Sequence, residues 1–404
     1  MKNISTNDNT GKTHYGKSAS SSNLLTILLL TVTFFLNFIS RIIPSPLMPN
    51  IETELSLSHG EAGSFFLLIS LGYFVALLGS GFISSQLTHR KTIILSSATV
   101  GVTLLGISLT NDLQGVRLGL FILGMAAGIY LPSGIATLTS LISPKHWGKA
   151  IAIHELAPNL GFVAAPIVSE ALLLWVSWRA VFALIGLSSL LVGAVLACFI
   201  HGGEFPGESP SLKSVWMFFS ERSFWIMIVL FSLGISGFLG LYTMLPLYLV
   251  SEQGIDREWA NILLSLSRVS GLIMVFIGGW ATDRFGSRRV IQGVFFLSGT
   301  MTVLLGLVSG SWLIIIVFLQ ALLAVCFPPA ALVALSSIGK QKAQNVAVSF
   351  TIPFAFLIGA GAVPTGIGIM ADAGNFALSI SLLGTLMIMG SILPGYLKFR
   401  LNEK

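Results

Sequence analysis

Apolar residues run along this 404-residue chain in long blocks separated by short polar stretches, without the two-residue alternation of half-buried strands. About twelve blocks stand out, each near the roughly 20 residues that cross a bilayer as a helix. They lie at 23–47, 60–86, 92–110, 114–140, 149–174, 178–200, 222–250, 257–281, 290–309, 311–338, 344–371 and 374–397. The pattern predicts an all-α membrane protein with twelve transmembrane helices, since helices satisfy their own backbone groups in lipid. Most links are short, which makes successive helices antiparallel neighbours. The exception, 201–221, carries Gly202, Gly203, Pro206, Gly207 and Pro210 and reads as the boundary between two six-helix bundles at 23–200 and 222–398. Residues 1–22, rich in Ser, Asn, Thr and Lys, read as a disordered tail, and 399–404 as a second, short tail. A cleaved signal peptide is not expected, because the first apolar block is too long and ends in Pro44, Pro46 and Pro49.

Composition sharpens this picture. Hydrophobic residues make up 54% and charged residues 9%, against about 25% charged in soluble proteins. The net charge of +6 reflects topology. Arg90, Lys91, Lys145, Lys149, Lys213, Arg284, Arg288, Arg289, Lys340 and Lys398 fall at one end of the helices. The loops at the other end carry Glu52, Glu54, Asp112, Glu252, Asp256, Glu258 and Asp372, with only Arg257 among the bases. The positive-inside rule then places both termini in the cytoplasm of a multi-pass plasma (bacterial inner) membrane protein. Nucleic acid is not an expected partner; the bilayer is. Cys198 and Cys326 are expected as free thiols, no metal or cofactor set appears, and no phosphate loop or nucleophile constellation suggests an enzyme. A monomer is expected.

The most conspicuous motif is Gly279-x3-Asp283-Arg284-x-Gly286-x-Arg288-Arg289. A weakened copy lies 198 residues earlier, with Gly81 for Gly279, Arg90 for Arg288 and Lys91 for Arg289. That copy has Ser85 for the acid and Thr88 for the glycine. The same offset relates Pro166 to Pro364, and the helix start at Ser58-His59-Gly60-Glu61, a capping box, to an expected N-cap at Asp256. The chain therefore reads as two copies of one membrane unit. Pro132 and the pair Pro328-Pro329 should break the fourth and tenth helices.

The loop motif resembles the signature of the major facilitator superfamily, found there between helices 2 and 3 and again between helices 8 and 9. Arg117 with Gly124 and Gly128 resembles the family's fourth helix, and Trp178-Arg179-x2-Phe182 its sixth-helix entry. The resemblance, over about 23–398, implies the major facilitator fold and transport by alternating access. Asp283, Arg284, Gly286, Arg288 and Arg90 would brace the two halves at the cytoplasmic face. Arg41-x7-Pro49, followed by Leu57-Ser58 and Gly63, resembles the first helix of the anion:cation symporter branch, where an arginine binds an anionic substrate. The helix-7 arginine of sugar-phosphate carriers has no counterpart in 224–250. Arg268 resembles a helix-8 arginine of dicarboxylate carriers, whose helix-11 lysine is missing from 344–371.

Independent of family, charges inside spans are costly and mark candidate sites. Arg268 lies 12 residues after Asp256 and 15 before Asp283, hence roughly 18 Å and 22 Å from the two helix ends, near the midplane. It needs a buried acid, backbone carbonyls, water or an anionic ligand. Ser265 shares its face. Arg41 is about 12 Å from Pro49, with Asn37 one turn away; it either joins the site or snorkels outward. One guanidinium from each half suits a carboxylate or phosphate. Tyr73, Tyr130, Tyr242 and Gln320 are further cavity candidates, each equally readable as core packing. Glu155, with Asn159 one turn on, is placed to take up and release a proton or to form a structural ion pair. His154 is the second coupling candidate; it points about 100° away from Glu155 and lacks the second histidine of a zinc helix. Glu170 reads as a gate or surface acid. The leading expectation is a secondary transporter for a small organic anion coupled to protons or another ion. Alternatives are a proton-coupled drug or metabolite efflux antiporter, disfavoured by Ala165 before Pro166 where a second glycine would stand, and a non-transporting membrane sensor.

Overall fold

The computed structural model describes residues 21–200, 202–207, 221–338 and 344–399. Residues 1–20 of the expected tail at 1–22, most of the central link and most of the C-terminal tail lie outside them, while Ser21 and Ser22 begin the first helix. The described residues are helical apart from one isolated bridge between Ile338 and Phe399. The first half contains α1 (Ser21–Ile42), α2 (Pro44–Leu55), α3 (His59–Gln86), α4 (His89–Leu109), α5 (Leu113–Gly128), α6 (Tyr130–Ser140), α7 (Trp147–Leu173) and α8 (Trp178–Phe199). The second contains α9 (Arg222–Ile235), α10 (Leu241–Leu247), α11 (Arg257–Val269), α12 (Gly271–Phe285) and α13 (Ser287–Leu305). It continues with α14 (Ser311–Ala324), α15 (Phe327–Ser337), α16 (Gln344–Phe356), α17 (Val363–Asp372) and α18 (Phe376–Gly390). Wide π-turns at Ser236–Gly240, Tyr248–Glu252 and Leu357–Ala362 join α9 to α10, extend α10, and join α16 to α17.

Eleven continuous helical stretches among the described residues are long and apolar enough to cross a membrane. The helix α13 packs alongside them but opens on Ser287, Arg288 and Arg289, which dilute its apolar character. Helix breaks follow the prolines. The stretch Leu113–Ser140 breaks at Ile129, ahead of Pro132, and the stretch Ser311–Ser337 at Val325–Cys326, ahead of Pro328, because a proline ring clashes with the preceding turn. The first stretch departs from expectation. Pro44 and Pro46 open a new helix, where proline costs nothing, and α2 continues through Pro49 to Leu55 instead of stopping near 47.

The capping box forms: Glu61 N donates to Ser58 Oγ and Ser58 N to Glu61 Oε2, both at 3.2 Å. The expected cap at Asp256 does not. Its side chain is exposed and makes no cap hydrogen bond, and Glu258 in the first turn supplies the negative charge that a helix start favours.

The two loop motifs share a backbone shape despite their different residues. Gly286 has φ +82° and ψ 149°. Thr88, its counterpart 198 residues earlier, has φ +139° and ψ 159°, a region that costs a β-branched residue on the order of 1–3 kcal/mol. Thr88→Gly is therefore expected to stabilise the protein by about 1 kcal/mol, since glycine also loses little as an N-cap. A denaturation midpoint unchanged or lowered in that variant would remove the strain argument. The missing acid has a substitute from elsewhere in the chain. Glu204, at the start of the central link, accepts from Arg90 Nη1 at 2.6 Å, and Gly203 O and Phe205 O accept from Arg90 N and His89 N.

Within the first half α3 packs on α5, α4 on α8 and α1 on α7; within the second, α13 packs on α18 and α9 on α16. The halves meet along three seams: α3 with α16 and α17, α7 with α11, and α2 with α10. Glycines bring the first seam close. A Cβ on Gly63 would lie 2.6 Å from Pro364 O, and one on Gly361 2.8 Å from Ser70 Cβ.

Candidate substrate site

Arg268 closes α11 and is 6% exposed. Its guanidinium carbon lies 4.9 Å from the ring centre of Tyr242, 5.0 Å from Phe162 and 5.1 Å from Phe238. Nη2 donates to Phe238 O at 2.9 Å, while Nε and Nη1 are buried without a hydrogen-bond partner. Among the described residues no carboxylate pairs with it. The rings favour the cation by about 0.5–2 kcal/mol each, but each unmade N–H bond costs about 1–3 kcal/mol. The cage therefore holds a charge whose hydrogen-bonding capacity is left over for a ligand. Asn159, Gly271, Ala321 and Val325 complete a cavity of about 10 Å³ beside it.

The anchor of this cage is the π-turn at Ser236–Gly240. A wide turn loosens its carbonyls from the helix ladder, and Phe238 O takes Arg268 while Gly237 O takes Gln320 Nε2 at 2.8 Å. Tyr242, one turn on, donates to Phe162 O at 3.1 Å, and Ser265 Oγ donates to Val163 O at 2.8 Å. Both tie the second half to the first beside the arginine.

Arg41 is 8% exposed and does not snorkel. It lies 4.4 Å from the Tyr73 ring, 5.2 Å from Phe38 and 6.0 Å from Phe356. Its Nε reaches Asn37 O at 3.4 Å. It borders a cavity of about 20 Å³ with Ser70, Leu239 and Thr243, room for about one water. The expected single clamp is thus two small cavities with no residue in common. Phe38 and Phe162, ring centres 5.0 Å apart, stand between them. Asn37 faces away from both and ties α1 to α4 and α5 through Ser96 Oγ and Ala127 O.

Glu155 is about half exposed, with a 48% exposed side chain, and its backbone carbonyl accepts from Asn159 Nδ2 at 2.9 Å. His154, in contrast, is wholly buried. It lies between α1 and α6 together with Tyr130, which donates to Leu30 O at 2.7 Å. Tyr130 is thereby engaged in packing within the first half and lines neither arginine cavity.

The charged contacts between the halves lie at the acidic end of the helices. Glu170 holds Arg257 through both oxygens at 3.1 Å and accepts from Asn261 Nδ2 at 2.6 Å. Arg257 also donates to Asn50 Oδ1 and Asn261 to Pro46 O. Asp372 caps α3, accepting from His59 N at 2.7 Å and Gly60 N at 2.9 Å. At the basic end the expected brace is not engaged. Asp283 and Arg284 are exposed and form no ion pair among the described residues. Arg288 donates to Leu397 O at 2.7 Å within its own half, and Arg90 is taken by Glu204. Sequence reading missed the ring partners Phe38, Phe238 and Phe356 and the Glu170–Arg257 latch. Only Phe38, three residues before Arg41, carried a readable signal.

The frame has counterparts in known proteins. The chain is 24% identical to the uncharacterized MFS-type transporter YbcL of Bacillus subtilis, over 95% of this chain and 98% of that one. It is 23% identical to the probable L-galactonate transporter of Escherichia coli, over 91% and 87% respectively. A bacterial homolog of the human lysosomal transporter Spinster, solved inward-facing and occupied, superimposes with a TM-score of 0.80 at 16% identity, over 94% of this chain and 97% of that one. The family description "Major Facilitator Superfamily" matches residues 30–364, and the chain belongs to that superfamily of membrane transporters.

Proposed function

We propose that this protein is a secondary active transporter that carries a small organic anion of carboxylate or phosphate type by alternating access, coupled to protons. The observation behind this reading is Arg268, buried in an aromatic cage with two nitrogens unpartnered and no acid beside it. An anion's oxygens would supply the missing acceptors, and a guanidinium offers them a planar fork. The resemblance to a transporter named for L-galactonate, itself a carboxylate, points the same way. Twelve spans in two six-helix bundles, 23–200 and 222–398, with both termini cytoplasmic and the basic end inward, frame the proposed cycle. The latched acidic end and unlatched basic end then correspond to an inward-facing state. As the halves rock, movement of Phe38 and Phe162 joins the two arginine cavities into one site, and Asp283 and Arg284 meet the opposite half.

The test is a thermal-stabilisation screen of the purified protein against monocarboxylates, dicarboxylates, phosphate esters, zwitterions and lipophilic cations, followed by uptake into proteoliposomes. Stabilisation by anions with matching uptake supports the reading. Stabilisation by lipophilic cations alone favours an efflux antiporter, and ligand binding without uptake a sensor. For coupling, Glu155→Gln is expected to abolish uptake driven by a pH gradient while leaving substrate exchange near the wild-type rate. An unchanged response to the pH gradient would take Glu155 out of the proton path.

A further inference from the structure

His154 is the one wholly buried histidine among the described residues. Its ring lies parallel to Phe34 (4.4 Å between centres, 9° between planes) and to Tyr130 (6.0 Å, 4°). Two contacts determine which nitrogen carries its proton. Tyr130 Oη lies 2.7 Å from Leu30 O. Oxygens that close need a proton between them, and a carbonyl has none, so the phenol donates to Leu30. The same phenol oxygen lies 3.1 Å from His154 Nε2 and has only lone pairs left for it. Nε2 must therefore be the N–H. In the neutral ring Nδ1 is then a bare acceptor. Nδ1 is buried with no hydrogen-bond partner, and Glu155 Oε1 lies 3.7 Å from it. A bare lone pair facing a carboxylate oxygen is repulsive. One added proton converts the contact into an imidazolium–carboxylate pair flanked by two ring faces that favour a cation.

We infer that Nδ1 of His154, with Glu155 as its counter-carboxylate, is a proton-binding site of the conformation in which Glu170 and Arg257 are paired. Part of its logic is positional. The Glu155 side chain is half exposed and the imidazole is sealed, so the carboxylate is the route by which a proton reaches or leaves Nδ1. Other groups around the ring do not supply that proton. From α1 it meets Phe34, and from α6 Tyr130. Tyr73 of α3 lies within electrostatic reach of Glu155. Arg41 is seven residues beyond Phe34, and Phe162, which touches Arg268, eight beyond His154. Those separations are roughly 10 Å and 12 Å along the helices. Lys149 on the same helix points about 140° away, and the charged groups of α2, α8 and α12 sit at the helix ends. The role in transport rests on the proton-coupled reading above; the protonation itself needs no substrate.

The two are separated by experiment. Protein labelled with ¹⁵N-histidine, in lipid nanodiscs, gives a His154 signal identified by its loss in His154→Gln. Should that variant not fold, the signal is identified by its shift in Tyr130→Phe and Glu155→Gln. The expected wild-type signal is a neutral ring protonated at Nε2 at alkaline pH, gaining its second proton at Nδ1 on acidification. In Glu155→Gln the doubly protonated fraction at a given acidic pH falls several-fold, and in Tyr130→Phe the preference for the Nε2–H form is lost. A neutral ring protonated at Nδ1, or an acid response identical in Glu155→Gln, overturns the proposal. The expected NMR result together with no uptake of any anion leaves the proton site standing and removes the transport reading alone.

Discussion

Arg268→Ala is expected to weaken binding of the transported anion by about 30-fold to several thousand-fold, the equivalent of about 2–5 kcal/mol for truncating one partner of a buried charge pair. The empty protein should change far less. The alanine removes a bond to Phe238 O and three ring contacts, but it also removes a desolvated charge with two unmade N–H bonds, and these effects oppose each other. Arg268→Lys restores the charge without the planar fork, so it should recover only part of the affinity. The measurement is a thermal-shift titration with carboxylates in the three proteins. Anion stabilisation surviving intact in the alanine variant would show that Arg268 is only a packing element between α11 and the π-turn.

The second large effect belongs to the latch at the acidic end. Removing Arg257 leaves Glu170, whose side chain is 13% exposed, with Asn261 as its remaining donor. Losing a hydrogen-bonded charged partner costs about 1.5–3 kcal/mol, which is roughly a 10- to 100-fold shift in a two-state population. The closed arrangement bears that cost and the outward-open one does not. In a Cys198→Ser background, a cysteine at Val176, which lines the outer cavity with Arg257, should react faster with a membrane-impermeant thiol reagent when Arg257 is alanine. Glu170→Gln, which keeps a hydrogen-bonding side chain beside Asn261, should have a smaller effect. Labelling that ignores both changes would mean that Asp372 on the N-terminus of α3 and Asn261 on Pro46 O suffice to hold the closure.

Much of this architecture is legible one residue at a time. Apolar runs mark the spans, prolines mark the breaks at Ile129 and Val325, and the Ser58–Glu61 box marks the start of α3. These signals are local, because helices inside a membrane satisfy their own backbones. The 198-residue repeat even reaches the backbone angle of Thr88. The site is less legible because it depends on which faces meet. Depth singles out Arg41 and Arg268 as important, but nothing in their spacing reveals that Phe38 and Phe162 separate them. The π-turn that holds Arg268 has no marker in the residues Ser236 to Gly240. Likewise Glu204 stands far along the chain from Arg90, and only folding shows that it replaces the acid missing at Ser85. Glu155 and His154 look alike on paper, being adjacent ionisable groups of one helix. Their surroundings separate them, one half exposed and one sealed between rings.

The two caged guanidiniums also carry an electrical consequence. Among the described residues neither pairs with a carboxylate, so on the proposed reading the centre carries positive charge within the membrane field when no anion is bound. A potential of 100 mV acts on each unit charge with about 2.3 kcal/mol across the full thickness, so even partial displacement during rocking makes the return of the empty carrier voltage-dependent. An anion in the cage cancels part of that charge. Its loaded transition should therefore respond less to voltage than the empty one, which charge-displacement recordings on a supported membrane would resolve. The same charge that selects the cargo would then set which half of the cycle the membrane potential drives.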